Sequence, residues 1–172
     1  MAITSAICTS FKVELLKGVH NFTATTGNTF KIALYDSDAT LGASTTAFST
    51  SEEITNTSGT AYTSGGATLT SVTAVASSTT AVCDFDDVSF TSASFTANGA
   101  LIYYTTTATG SGTTVAVCAI AFGGDKTATN GTFTIHLQRM QLFVQLLLAL
   151  IKQRLTELSQ FNFLQQTLQT RS

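Results

Sequence analysis

The chain has 172 residues, 44% of them hydrophobic and only 10% charged, with eight Lys and Arg against ten Asp and Glu for a net charge of −2. That is enough for one domain with its own core, and too little positive charge for a nucleic-acid binder. The hydrophobic content is too high for a disordered chain. His, Cys and carboxylates are too scarce for an obvious metal or acid–base enzyme. What remains is a neutral, hydroxyl-rich, β-prone protein.

The N-terminus has no basic region ahead of an apolar stretch, so a cytoplasmic site of synthesis is expected. Thr4 or Ser5 is placed to cap a short helix over about 5–17, with Ile7, Phe11 and Leu15 on one face and Gly18 as its stop. From Thr29 the period changes to two. Phe30, Ile32 and Leu34 alternate with Lys31, Ala33 and Tyr35, as in a half-buried strand. Residues 36–46 read as a long polar loop, and 51–54 as a helical turn or edge segment. Gly65-Gly66 is a turn before a strand from Ala67 to about Val75. A strand over 79–90 is expected to break at Asp86-Asp87, with Val82, Phe85, Val88 and Phe90 toward the core. Asn98-Gly99 and Asn130-Gly131 are tight-turn signals. Strands follow over 100–105, 113–122 and 132–135, and the 113–122 strand, apolar on both faces, is expected mid-sheet. About seven short strands with turns between them predict a mainly β chain: an antiparallel β-sandwich or jelly-roll-like domain with a short N-terminal helix and a C-terminal helical tail.

The composition breaks after Ile135. All 12 Gly precede it, and all eight Gln and all three Arg follow it. Residues 1–135 carry nine acids and four Lys; residues 136–172 carry four basic residues and one acid. The break marks a second structural unit, a fused segment or a changed reading frame. In one alternate frame the codons from His136 to Val144 permit Phe-Ala-Thr-Asp-Ala-Thr-Ile-Arg, a short β segment. As written, Val144, Leu148, Ile151, Leu155 and Leu158 form a heptad seam, which predicts a helix over about 138–158 that docks on an apolar surface, on its own domain or across subunits. The apolar run 142–151 is too short to span a membrane.

No catalytic constellation emerges. Asp84-Phe85-Asp86-Asp87 reads as a solvated strand edge rather than a calcium loop. His20 and His136 are isolated, with a polar contact after the first helix as the ordinary role for His20. Cys8, Cys83 and Cys118 are widely spaced and read as small buried residues. Glu52-Glu53 and Asp84/Asp86 are the candidates for the carboxylate pair of a hydrolase, and neither is placed for that chemistry. Tyr35, Phe48, Tyr62, Tyr103 and Tyr104 offer rings for stacking on sugar, with core packing as the commoner use. No cofactor, metal or catalytic residue is expected.

Several stretches together carry a resemblance. They are the segment from Cys8 to Phe22, Phe30-Lys-Ile-Ala-Leu-Tyr35, the segment from Thr40 to Phe48, Gly65-Gly-Ala-Thr-Leu69, Gly99-Ala-Leu-Ile-Tyr103, Phe122-Gly-Gly-Asp-Lys126 and Asn130-Gly-Thr-Phe-Thr-Ile135. In this combination the chain resembles the capsid decoration (cement) and minor virion structural proteins of tailed bacteriophages. The resemblance implies a non-enzymatic protein on the capsid surface of a virion, synthesised in a bacterial cytoplasm. Its implied partners are the major capsid protein and further copies of itself, as a homotrimer, with no nucleic acid or membrane. A tail- or fibre-associated module contacting the host surface is the alternative. Proteins of this group end soon after the last strand, and the chain departs from them at His136.

Overall fold

The computed structural model describes residues 2–54, 62–77, 80–105 and 115–137. Among these the protein is mainly β and antiparallel, consistent with a β-sandwich-like domain. In chain order the elements are β1 (Ala6–Ile7), α1 (Thr9–Leu16), β2 (Phe30–Tyr35), β3 (Ala67–Leu69), β4 (Ser71–Ser77), β5 (Thr80–Phe85), β6 (Val88–Tyr104) and β7 (Ala116–Ile135). Five strands form one sheet in the order β1-β7-β6-β2-β3, and β4 pairs with β5 separately. The chain divides into two compact units. The larger, Met1–Thr73 with Asp84–Gln138, contains the whole five-stranded sheet, and the second contains Ala74–Cys83.

The first helix starts later than its sequence pattern predicts. Ala6 and Ile7 pair with Ala119 and Cys118 of β7 instead, and the Ser5 hydroxyl accepts from the Ala121 N–H rather than capping a helix. A sheet edge satisfies these backbone groups at once, whereas a first helical turn leaves its N–H groups orphaned. The helix begins only after Cys8, and its first N–H goes to the Ala43 carbonyl at 2.8 Å. Its end follows the predicted stop. Gly18 adopts φ +69°, the Gly18 N–H donates to the Leu15 carbonyl, and the Val19 N–H donates to the Glu14 carbonyl. Those two bonds form a Schellman motif, which favours glycine at that position. Phe11 is fully buried beneath the helix, while Val13 and Leu16 face solvent.

β2 is buried on both faces, not one. All its residues but Lys31 are buried, and on the Tyr35 face the 36–52 loop returns over the sheet, where the Tyr35 hydroxyl donates to the Ser49 carbonyl and Phe48 stacks on Tyr103, which lies opposite Lys31. The single strand expected from Ala67 to Val75 is two: β3 pairs with β2, and after Thr70 the chain joins the second sheet as β4. The predicted break at Asp86-Asp87 holds, and both residues are exposed between β5 and β6.

The two Asn-Gly pairs are not turns. Asn98-Gly99 lies inside the 17-residue β6, and Asn130-Gly131 inside the 20-residue β7. Gly99 is required by a close approach instead: a Cβ there would lie 2.7 Å from Ile3 Cδ1 and 2.6 Å from the Ile120 carbonyl oxygen. Asn130, at φ +48°, sits at one of several irregularities in the β6–β7 register. Between Phe90 and Ala93 the extra residue is on β6, where Ser92 has φ +54°; between Ala93 and Phe95 it is on β7. The two bulges compensate, so the alternation of faces resumes in step. The expected mid-sheet position of the 113–122 strand is met in its described part, since β7 runs between β1 and β6.

Candidate functional site

The outer halves of β6 and β7 form a two-stranded ribbon from Val88↔Ile135 to Ala97↔Lys126. Its residues alternate strictly enough to give two distinct faces. Val88, Phe90, Ala93, Phe95, Ala97 and Ile135 are buried. Ser89, Thr91, Thr96, Thr127, Thr129, Thr132 and Thr134 are exposed. This is the pattern of an antiparallel ribbon with one face on a core and one in water.

The buried face is largely aromatic. Tyr62 packs on Phe90 and Phe95, with ring centroids 5.4 and 5.9 Å apart, and Phe95 packs on Phe133 at 5.1 Å. Such rings bury large areas with few rotors and hold the ribbon stiff. On the exposed face the polar side chains bond to one another across the strands. Ser89 and Thr134 hydroxyls share a hydrogen bond of 2.9 Å, and Thr96 and Thr127 one of 2.7 Å. The Ser94 hydroxyl donates to Asn130 Oδ1 at 3.2 Å, and Asn98 Nδ2 donates to Asp125 Oδ1 at 2.8 Å. Each hydroxyl still has capacity for another partner. The result is a pre-ordered, hydroxyl-rich surface whose paired Ser and Thr groups can exchange water for a protein surface without burying charge, with the Asp125 carboxylate at its inner end. The strand alternation of 88–90 and 132–135 signalled this face; the pairing across it was not readable, because the Asn-Gly signals pointed to turns.

A second constellation surrounds Glu53, which is 6% exposed and the one buried charged residue among those described. Past Ile32, β3 no longer covers the edge of β2. Residues 52–54 take its place: the Asp36 N–H donates to the Glu52 carbonyl and the Ile54 N–H to the Leu34 carbonyl. This confirms an edge segment there rather than a helical turn. The Leu34 N–H then has no strand opposite it, and donates to the Tyr62 hydroxyl at 3.0 Å. Tyr62 in turn donates to Glu53 Oε1 at 2.7 Å, Ser64 donates to Oε2 at 2.8 Å, and the Gly65 N–H donates to Oε1 at 2.6 Å. Three donors on one carboxylate make its burial tolerable. Burial pushes the Tyr62 and Tyr35 phenols well above their ordinary range, and pushes Tyr103 up to about 12, with the nearby Glu53 charge adding to each. The groups bonded here are committed to one another, so the cluster acts as an internal clamp.

A third cluster lies under α1. The fully buried His20 side chain meets Glu14 Oε2 through Nε2 at 2.8 Å, and the Tyr104 hydroxyl donates to the same oxygen at 3.2 Å. Phe11 and Tyr104 pack on the imidazole, each with centroids 4.6 Å away. His20 Nδ1 is buried without a partner. Desolvation holds the His20 pKa below its ordinary value despite the Glu14 contact. His20 thus has the polar contact expected after the helix, in a more deeply buried setting.

The remaining sequence candidates are scattered. Cys8, Cys83 and Cys118 are buried, as expected, and form no disulfide with one another. Asp87, exposed, accepts from the Leu137 N–H at 2.9 Å and pairs with His136 at 2.6 Å, which holds its carboxyl below the usual range. Tyr35, Tyr62, Tyr103 and Tyr104 are all core residues. The seam residues Val144, Leu148, Ile151, Leu155 and Leu158 lie outside the described residues. Among those described, no helix is long and apolar enough to cross a membrane. Compared with protein-family models, curated proteins and solved structures, the chain matches none.

Proposed function

We propose that this chain is a non-enzymatic structural protein of a tailed-phage virion: a capsid decoration, or cement, protein that binds the major capsid protein and stabilises the head. The observation that supports this reading best is the exposed face of the β6–β7 ribbon, whose hydroxyls are already paired across the strands. A surface that must add to a completed shell has to stay soluble alone and adhere through many modest contacts. Neutral hydroxyls on a stiff backing suit both demands. Copies arranged as a homotrimer at threefold positions would sum weak contacts into firm attachment through effective concentration. The heptad seam from Val144 to Leu158 is the segment proposed to join those copies.

Cryo-microscopy of the intact particle tests the proposal. Hundreds of copies over the head are the expected result, whereas a few copies at the tail would move the protein to the tail- or fibre-associated class. A chain truncated after Ile135 separates the two interfaces. It should sediment as a monomer and bind shells more weakly, while its ribbon stays folded. A truncated chain that assembles and binds as well as the full chain would remove the seam from the proposal.

A further inference from the structure

The 36–52 loop is longer than most connections in compact domains, yet it is pinned at several points. The Thr9 N–H donates to the Ala43 carbonyl, the Ala116 N–H to the Thr46 carbonyl, and the Asp36 N–H to the Glu52 carbonyl. The Tyr35 hydroxyl donates to the Ser49 carbonyl at 2.6 Å. Phe48 is fixed by its stack on Tyr103, with centroids 4.5 Å apart and planes 14° from parallel. Held in this way, the loop encloses an open cleft of about 500 Å³, within the range of small-molecule sites.

The lining defines what would fit. Ser44, Thr46 and Ser51 present hydroxyls, Asp38 and Glu52 present carboxylates, and Phe48 presents an aromatic surface. No Lys, Arg or His is among the described lining residues. Hydroxyls both donate and accept, carboxylates only accept, and the ring favours C–H groups over charge. A phosphorylated or carboxylated ligand would face two carboxylates with no cation to offset them. A ligand with several adjacent hydroxyls and an apolar ring face matches this mix of hydroxyl, carboxylate and aromatic lining residues. We propose that this cleft binds a neutral saccharide of one or two rings. The site is separate from the ribbon face and does not rest on shell binding.

The full chain, labelled with 15N, would be titrated separately with glucose, galactose, N-acetylglucosamine, maltose and lactose in buffer containing EDTA. The expected result is saturable shifts of amides between residues 38 and 51 for at least one sugar. Asp38→Asn combined with Glu52→Gln should weaken that binding by about tenfold, the loss of a charge-assisted hydrogen bond. Thr96→Ala, on the ribbon, should leave it unchanged, which separates failure of this site from failure of the shell-binding reading. Three outcomes overturn the proposal: no shifts at millimolar sugar, shifts undiminished in the double variant, or shifts produced by calcium chloride alone. The last is a real competitor, since carboxylate oxygens of Asp36, Asp38 and Glu52 lie within 4.8 Å of one another.

Discussion

β6 and β7 pair along most of their length, but their two ends are built for different ends of the solvation scale. From Gly99 to Tyr104, every residue of β6 is buried, with β2 on one side and β7 on the other. From Val88 to Asn98, the same strand alternates buried and polar residues. The inner end must hide both faces, so its sequence is nearly unbroken apolar. The outer end hides one face and keeps the other in water. The lesson is that one pair of strands can hold the core at one end and keep a hydroxyl-lined face in water at the other, provided compensating bulges keep the alternation in step.

The largest expected effect sharpens that contrast. Leu101 is fully buried at the inner end, and Leu101→Ala should cost about 3 kcal/mol through lost burial and the cavity left behind. Thr96→Ala, on the exposed outer face, should cost less than about 1 kcal/mol. Denaturant unfolding of both variants measures the difference. Equal losses would break the comparison, because they would mean that the outer face is packed as tightly as the inner.

Next in size is the clamp around Glu53, which ties the edge of β2 to the turn at Gly65. Glu53→Ala leaves the Tyr62, Ser64 and Gly65 donors without their acceptor, and should cost about 2 kcal/mol or more. Glu53→Gln keeps one acceptor oxygen and should cost less. Tyr62→Phe should cost about 1 kcal/mol, since the Leu34 N–H then loses its partner. If Glu53→Ala is neutral, the edge segment 52–54 holds β2 by backbone bonds alone.

Solution pH probes the inner end without mutation. His20 is held neutral by burial, with its pKa lowered. Its contribution to stability is therefore present above the unfolded value, about 6.5, and is lost as pH falls through the lower folded value. Glu14, through a hydrogen bond, and Tyr104, through its ring, are the titratable groups in contact with it. The phenols of Tyr35, Tyr62 and Tyr103 shift the other way. Their contribution is complete below about pH 10 and is lost as pH rises through the raised folded values, about 12 for Tyr103. Thermal unfolding across pH should show both flanks, and His20→Phe should flatten the acid flank without touching the alkaline one. An acid flank unchanged in that variant would place the sensitivity elsewhere.

How much of this was legible follows from which forces are local. The period-two alternation of Phe30–Tyr35 and the Gly18 stop were visible because they depend on neighbours in sequence. The second buried face of β2 was not, because it is made by a loop that returns to cover it. Ala6-Ile7 read as helix since nothing in the local pattern reveals an open edge on β7. Asn98-Gly99 read as a turn because the usual reason for Asn-Gly is positive φ, whereas here Gly99 answers to Ile3 pressing on it from another segment. Glu53 was unreadable for a related reason. Its partners follow at positions 62, 64 and 65, and no spacing rule links a carboxylate to a tyrosine nine residues on.

The smallest stability effect belongs to the outer face, and it discriminates most. Thr96 and Thr127 are directly opposite in register, and their hydroxyls are 2.7 Å apart. A cross-strand pair of this kind couples by about 0.2–1 kcal/mol, so a double-mutant cycle with Thr96→Val and Thr127→Val should return a small favourable term. β-branched valine keeps the strand geometry and removes only the hydroxyl. Removing both leaves no unpaired buried group, because the site is exposed. The doubly substituted chain should therefore melt within a few degrees of the parent. Under the proposed function, attachment to capsids should fall much further, since every copy would lose the same two hydroxyls and avidity multiplies a small loss per contact. Cosedimentation with shells lacking the protein reads that loss. If attachment is unchanged while the cycle shows the coupling, the hydroxyl pairs serve the ribbon alone, and the contact surface must be sought on another face.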